Sequence, residues 1–227
     1  ASVRTDHDLP IGAVIAGTGA VALALFLYFR FAVLADTANP TRIAAMSLVL
    51  TLGITFLFAA VSAWAIAMIS TTPISGMTLT TLIISAGVLS ALGLAGPSGM
   101  LSVLLIGGVV CTALSMTGSM VTLLKVGYWT GATPRRIELT LIAGSVVAAV
   151  TVTAIMFVFA KVYGYSPSPE HQNPVAAPQA NAMAAVISSV MQSGNAPWFL
   201  YGIGAVIAVI VQMLGISALA FALGMYL

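Results

Sequence analysis

The sequence predicts an all-α integral membrane protein with about six transmembrane helices and one shorter helix. Hydrophobic residues make up 60% of the 227 positions, and charged residues only 5%. A soluble globular protein typically has about 25% charged residues, so this composition excludes that class. Long apolar runs recur between short polar breaks. Most of these runs match the roughly 20 helical residues that cross the hydrocarbon core of a bilayer.

Six apolar runs are the candidate spans, and a single transmembrane domain over residues 1–227 is expected to contain them. Residues 1–9 form a polar start, and residues 163–197 form a polar segment interrupted by prolines. Within that segment, the Ala-rich stretch 179–192 predicts a helix of about 14 residues, roughly 21 Å long and too short to cross. We expect this helix to be interfacial or re-entrant. The six runs are 10–35, 42–69, 78–94, 100–124, 137–162 and 198–227.

Charge and cysteine content exclude several functions. A net charge of +2 is too small to indicate nucleic-acid binding. Cys111 is the single cysteine, so no disulfide can form within the chain. His7 and His171 lie far apart in polar segments, and the sequence contains no recognisable metal, haem or phosphate-binding motif. We therefore expect no catalytic residues, no metal, no cofactor and no enzyme activity.

Residues 123–138 form the one stretch with a strong polar identity, between two long apolar runs. They contain three of the seven basic residues, which are Lys125, Arg135 and Arg136. Two glycines in this stretch can adopt conformations closed to other residues, and Pro134 suits the first turn of a helix. The pattern predicts a tight connection between two helices at a membrane surface.

The run at 137–162 has a charged residue near each end. Glu138 is expected in its first turn and Lys161 in its last turn. An acid at the start and a base at the end of a helix interact favourably with the helix dipole, so both residues have a structural explanation.

Residues 70–81 are rich in hydroxyl groups and carry no charge. Irregular backbone at membrane depth is tolerated where protein or a water-filled cavity surrounds it. One interpretation is therefore a broken or re-entrant helix whose carbonyls and hydroxyls face a cavity. The other is a short turn between two spans. The residues themselves leave both interpretations open.

These polar segments carry a family resemblance. Residues 125–136, Lys-Val-Gly-Tyr-Trp-Thr-Gly-Ala-Thr-Pro-Arg-Arg, resemble a signature of the oligopeptide transporter family, which includes the yellow-stripe-like carriers of metal chelates. Residues 73–78, Pro-Ile-Ser-Gly-Met-Thr, are similar to the family's Asn-Pro-Ile-Ser-Gly-Met-Thr block, with Thr72 in place of the Asn. A third match is Ala-Leu-Gly-Met-Tyr-Leu at 222–227. Because family chains are several times longer, the chain resembles an internal portion of a longer member.

The resemblance implies secondary transport of small peptides or peptide-like metal chelates by alternating access. Lys125 would then act as a counter-charge for a substrate carboxylate. Three further residues are assigned to the membrane interface or to orientation, namely Trp129, Arg135 and Arg136. The residues expected along the substrate pathway are Thr72, Ser75, Gly76, Met77, Lys125, Gly127 and Tyr128.

The polar positions before Lys125 depart from the family pattern. Ser119, Thr122 and Leu123 stand where the family has acidic and amide side chains. This degeneracy favours an alternative function, a truncated and non-transporting structural subunit or scaffold within a larger membrane complex. Both functions imply the lipid bilayer as a partner, together with other membrane subunits or a homo-oligomer. The transport function also implies a peptide or metal chelate as the substrate. A slight excess of basic residues on one side predicts that the connection at 125–136 is cytoplasmic. The protein is expected in the cell (inner) membrane.

Overall fold

The described part of the chain is built from eight α-helices. The computed structural model describes residues 8–35, 37, 39–69, 74–94, 96–165, 178–191 and 198–226. No strand occurs in these ranges, which confirms the all-α prediction. The helices are α1 (Ile11–Tyr28), α2 (Pro40–Ile69), α3 (Ile74–Ala91), α4 (Gly96–Thr130), α5 (Pro134–Val162), α6 (Pro178–Met191), α7 (Trp198–Met213) and α8 (Ala218–Tyr226).

Four helical segments are long and apolar enough to cross a membrane. They are Ile11–Val33, Pro40–Met68, Gly96–Thr130 and Pro134–Val162. The first of them extends α1 by a π-helical turn at Phe29–Val33, where the Leu34 amide donates to the Phe29 carbonyl at 2.9 Å. Two further apolar segments, Gly76–Ala91 and Phe199–Met213, are shorter. The structure thus supports four spans by length and composition, and the count of six stays a prediction.

The apolar run at 198–227 forms two helices, α7 and α8, instead of one continuous helix. Gly215 has a φ of +79°, and its amide donates to the Gln212 carbonyl at 3.1 Å. The next amide, of Ile216, donates to the Val211 carbonyl at 3.2 Å. This pair of bonds around a left-handed glycine is the Schellman motif that ends helices. Hydropathy did not reveal the break because the turn residues are themselves apolar.

The short helix predicted at 179–192 is confirmed as α6, with 14 residues. Its buried side chains Ile187, Val190 and Met191 belong to the hydrophobic core. A Cβ built on Gly99, in the first turn of α4, would lie 2.8 Å from Met191 Cε. The end of α6 therefore packs against the start of α4.

The chain forms two compact units. One contains Ala1–Ala16 and Thr122–Ala182, and the other contains Gly17–Val121 and Met183–Leu227. The second unit contains the hydrophobic core, in which α2 and α3 pack together and the α3 residue Leu82 lies against Gly107 of α4. A single transmembrane domain stays a prediction.

In the first unit, α5 exposes apolar side chains over most of its surface. Val146, Val150 and Phe157 are each more than half exposed. Among the described residues of this helix, the buried one is Glu138. A helix that is apolar all round needs a nonpolar environment. Lipid or a neighbouring membrane subunit would supply it.

Candidate functional site

The Ile-Ser-Gly-Met-Thr segment forms the start of α3. This helix begins at Ile74, so residues 74–78 are regular helix and not irregular backbone. Met77 and Thr78 are buried, whereas Gly76 is exposed with open space around it. The Ser75 side chain and Thr72 lie outside the described residues. The choice between a re-entrant element and a short turn therefore concerns residues 70–73, which also lie outside them.

A stripe of hydroxyl side chains runs along one face of α2. Ser47, Thr51 and Ser62 are fully buried, and the Thr55 hydroxyl oxygen is also buried. In chain order, from Ser47 through Thr51 and Thr55 to Ser62, the spacings are four, four and seven residues. These spacings put the four side chains on one side of a helix. Because these groups lie inside the second unit, the face of α2 that packs within the protein is partly polar.

The helix α3 also has buried hydroxyl groups on one side. Thr78, Thr81 and Ser85 are buried, and their spacings of three and four residues again select one side of the helix. α2 and α3 pack against each other. No charged residue occurs in α3, and the charged residue in α2 is Arg42, near its start. The hydrogen-bonding groups of this pair are therefore electrically neutral.

The threonines and serines on these faces differ in their hydrogen bonding. Thr51 donates to the Ser47 carbonyl at 2.6 Å, and Thr81 donates to the Met77 carbonyl at 2.8 Å. Within the described ranges, four other buried hydroxyls have no partner, and a buried polar group without one costs roughly 1–3 kcal/mol. This region therefore retains unused capacity to donate and accept hydrogen bonds. The four belong to Ser47, Thr55, Ser62 and Ser85.

The basic segment lies at the hairpin between α4 and α5, which we call the α4–α5 hairpin and define as residues 125–138. The predicted tight connection is shorter than expected, because α4 continues to Thr130 and α5 begins at Pro134. Lys125 and Trp129 are therefore helical residues. Only residues 131–133 join the two helices. The predicted end of α4 came too early because Gly127 was assigned to the turn.

Gly131 is the residue that ends α4. It has a φ of +68°, and its amide donates to the Tyr128 carbonyl at 3.4 Å. The Ala132 amide donates to the Gly127 carbonyl at 2.9 Å, which completes a Schellman motif. α5 then starts with Thr133 as an extended N-cap residue, followed by proline. The local sequence thus encodes a compact hairpin.

Gly127 has a packing role in this hairpin. It is buried, and a Cβ at this position would collide with Ile137 Cδ1 of α5 and lie 3.8 Å from Ala132 Cβ. The absence of a side chain therefore lets the end of α4 and the start of α5 approach closely. The pathway role predicted for Gly127 stays a proposal.

Lys125 lies beside two aromatic rings. Its Nζ atom is 5.2 Å from the Tyr128 ring centroid and 5.4 Å from that of Trp129. Both distances are within the range of cation–π attraction. Tyr128 is 79% exposed and Trp129 72% exposed, and Lys125 is exposed as well. The hairpin therefore presents a cation on an aromatic platform to its surroundings.

The prediction that Glu138 lies in the first turn of its helix is wrong, because α5 begins four residues before it. Its carboxylate is buried and accepts a hydrogen bond from the Leu9 amide at 3.3 Å. Local sequence patterns do not indicate this contact, since the two residues are 129 positions apart. Lys161 does lie in the last turn, as predicted.

The predicted site residues fall into two groups, one in each compact unit. Met77 and the start of α3 belong to the second unit, and the α4–α5 hairpin belongs to the first. The buried serines of α2 and α3 were missed, although their helical spacing was visible in the sequence. No group of three or more His, Cys, Asp or Glu residues that could hold a metal occurs in the described part.

Four membrane-length apolar helices, together with buried neutral hydroxyl groups on α2 and α3, are those of an integral membrane protein. A family model described as OPT oligopeptide transporter protein matches residues 1–227. The chain belongs to this family, which is a family of transporters and not of enzymes. No curated protein and no solved structure matches the chain.

Proposed function

We propose that the chain forms part of a secondary transporter for small peptides or peptide-like metal chelates, in the cell (inner) membrane. The family supports transport in general. The substrate class is inferred from one observation, the four buried, neutral and unpartnered hydroxyls on α2 and α3. Hydroxyl groups both donate and accept, which suits the amide N–H and C=O groups of a peptide.

The packed state of α2 and α3 leaves these hydroxyls unsatisfied, which is unfavourable. Alternating access requires helices to separate around a substrate site. When α2 and α3 separate, Ser47, Ser62 and Ser85 gain partners in water or substrate, so the cost of opening is reduced. The neighbouring residues Thr72, Ser75, Gly76 and Met77 would then line the pathway at the start of α3.

Uptake and stability measured together test this proposal. The variant Ser47→Ala/Ser62→Ala/Ser85→Ala, reconstituted in liposomes, is compared with wild type for uptake of a labelled small peptide or chelate under an imposed proton gradient. We expect uptake to fall at least about tenfold, equivalent to a loss of roughly 1.4 kcal/mol. Stability in detergent should be unchanged or higher, since the serines donate no hydrogen bond in the packed state.

The matched control is Ser115→Ala/Ser119→Ala on α4, where both serines are exposed. This variant removes the same kind of group outside the buried faces, so its uptake should equal that of wild type. An active wild type together with an equally active triple variant would contradict a pathway between α2 and α3.

A structural role is the second candidate function, and the exposed apolar surface of α5 favours it. Such a surface suits a neighbouring subunit or a second copy of the chain as well as lipid. If the wild-type protein takes up neither peptide nor chelate under the gradient, and purifies within a larger complex, the scaffold function is the better one.

Lys125 is tested separately from α2 and α3, as a counter-charge for a substrate carboxylate at the α4–α5 hairpin. As an inward-facing counter-charge, with Gly127 and Tyr128 beside it, Lys125 would be required for uptake in every lipid composition. Lys125→Gln should then abolish uptake in purely neutral vesicles, while insertion and folding stay nearly intact. Unchanged uptake in those vesicles would exclude Lys125 from the pathway.

A further inference from the structure

The α4–α5 hairpin carries three exposed cations that have no ion-pair partner among the described residues. They are Lys125, Arg135 and Arg136. The nearby Glu138 forms no recorded ion pair with them in the described part of the chain, and its buried carboxylate accepts a hydrogen bond from the Leu9 amide. The hairpin therefore presents a local excess of positive charge.

The position of the two arginines is unfavourable for the helix itself. Arg135 and Arg136 lie in the first turn of α5, where the positive end of the helix dipole repels cations. Helix stability therefore does not explain them. An anion at this end would interact favourably both with the guanidinium groups and with the dipole.

The hairpin also lies where a helix leaves the hydrocarbon. The apolar part of α4 ends near Leu124, and Lys125, Tyr128 and Trp129 occupy its last two turns. Exposed tyrosine and tryptophan rings are typical of the level of the lipid head groups. A lysine stem can lie along such rings while its ammonium group stays at the polar surface.

We infer that the α4–α5 hairpin binds the phosphate of anionic phospholipid head groups. Arg135 and Arg136 contact the phosphate oxygens, and guanidinium groups match this anion with two parallel hydrogen bonds. Lys125 approaches from the aromatic platform of Tyr128 and Trp129. The Schellman motif at Gly131 and the close contact at Gly127 hold the charges from the two helices in a constant arrangement.

Quenching of Trp129 fluorescence by brominated lipid tests this inference without any transport assay. The protein is prepared in a Trp64→Phe/Trp198→Phe background, so that Trp129 is the remaining tryptophan. Quenching by brominated phosphatidylglycerol is compared with quenching by brominated phosphatidylcholine in nanodiscs. We expect a preference for phosphatidylglycerol that weakens as salt is raised.

Charge variants identify the residues responsible. Each removed cation should lower the preference by up to about fivefold, so Arg135→Gln/Arg136→Gln should remove most of it and leave the part that Lys125 contributes. The matched control Arg30→Gln/Arg42→Gln removes two cations from other parts of the chain and should keep the preference. Arg135→Lys/Arg136→Lys should retain most of it, because charge is preserved.

Two outcomes would overturn the inference. An undiminished preference in Arg135→Gln/Arg136→Gln would show that the hairpin does not select the lipid. The second outcome concerns soluble anions, which share the phosphate chemistry. If the wild-type protein showed no preference for phosphatidylglycerol while inorganic phosphate, unlike chloride at equal ionic strength, changed the Trp129 fluorescence, the site would bind a free phosphate and not a lipid head group.

Discussion

The Leu9 amide donates a hydrogen bond to Glu138 Oε2 at 3.3 Å and so joins the residues before α1 to the second turn of α5. The same amide lies 2.8 Å from Asp8 Oδ1, so two carboxylates share one donor. Glu138 is 8% exposed. The buried carboxylate near the start of α5 is thus held by a contact with a distant part of the chain.

Replacing Glu138 should distinguish loss of the acceptor from loss of charge. Glu138→Gln keeps an oxygen acceptor, and we expect it to cost less than about 1 kcal/mol of unfolding free energy. Glu138→Ala removes the acceptor and leaves a gap, so it should cost about 1–3 kcal/mol. Unfolding by SDS in mixed micelles measures both. Equal stability of the two variants would mean that the Leu9 contact contributes nothing.

Two adjacent glycines of α4 provide a matched test of helix packing. A Cβ on Gly107 would lie 2.5 Å from Leu82 Cδ2, whereas one on Gly108 would meet nothing within 4 Å. A change to Val alters the intrinsic helix propensity by the same amount at both positions. Because Leu82 is itself buried and has little room to move, Gly107→Val should be less stable than Gly108→Val by about 1–3 kcal/mol.

The same unfolding assay measures this difference. A Gly108→Val protein as unstable as Gly107→Val would contradict the close approach of α3 and α4. If the prediction holds, Leu82→Ala should partly rescue Gly107→Val, since it removes the carbon atoms with which the new side chain collides.

Substitutions of Gly131 test the turn that ends α4. Its φ of +68° is unfavourable for residues with a Cβ, so Gly131→Ala should cost about 1–2 kcal/mol. Gly131→Asn should cost less, because Asn tolerates this conformation. Gly144→Ala is the control, since Gly144 lies within α5 with open space around it and the change favours the helix. Thermal unfolding in detergent measures all three, and a loss in Gly144→Ala as large as in Gly131→Ala would contradict the assignment.

Some features of the fold could be predicted because they depend on local composition. The membrane class follows from 60% hydrophobic and 5% charged residues. The short helix α6 was predicted to within one residue at each end, because prolines and polar residues separate it from its neighbours. The motifs at 73–78 and 125–136 also indicated the family, which the match over residues 1–227 confirms.

Other features depend on turn geometry and could not be read from hydropathy. The break between α7 and α8 lies among apolar residues, so the run at 198–227 looked continuous. Gly127 and Gly131 looked alike as turn residues. In the structure Gly127 is a helical packing contact, and Gly131 ends the helix. Ile137 of α5 occupies the space beside Gly127, and this contact depends on how the two helices pack.

The sequence by itself determined the membrane environment, the helical class and most of the helix positions, because each of these depends on the solvent preference of neighbouring residues. Only the tertiary structure decided which hydroxyls of α2 and α3 are buried without partners, and that Leu9 satisfies Glu138. The physical reason is that burial and hydrogen bonding depend on which distant residues come together, and one-dimensional periodicity does not encode that pairing.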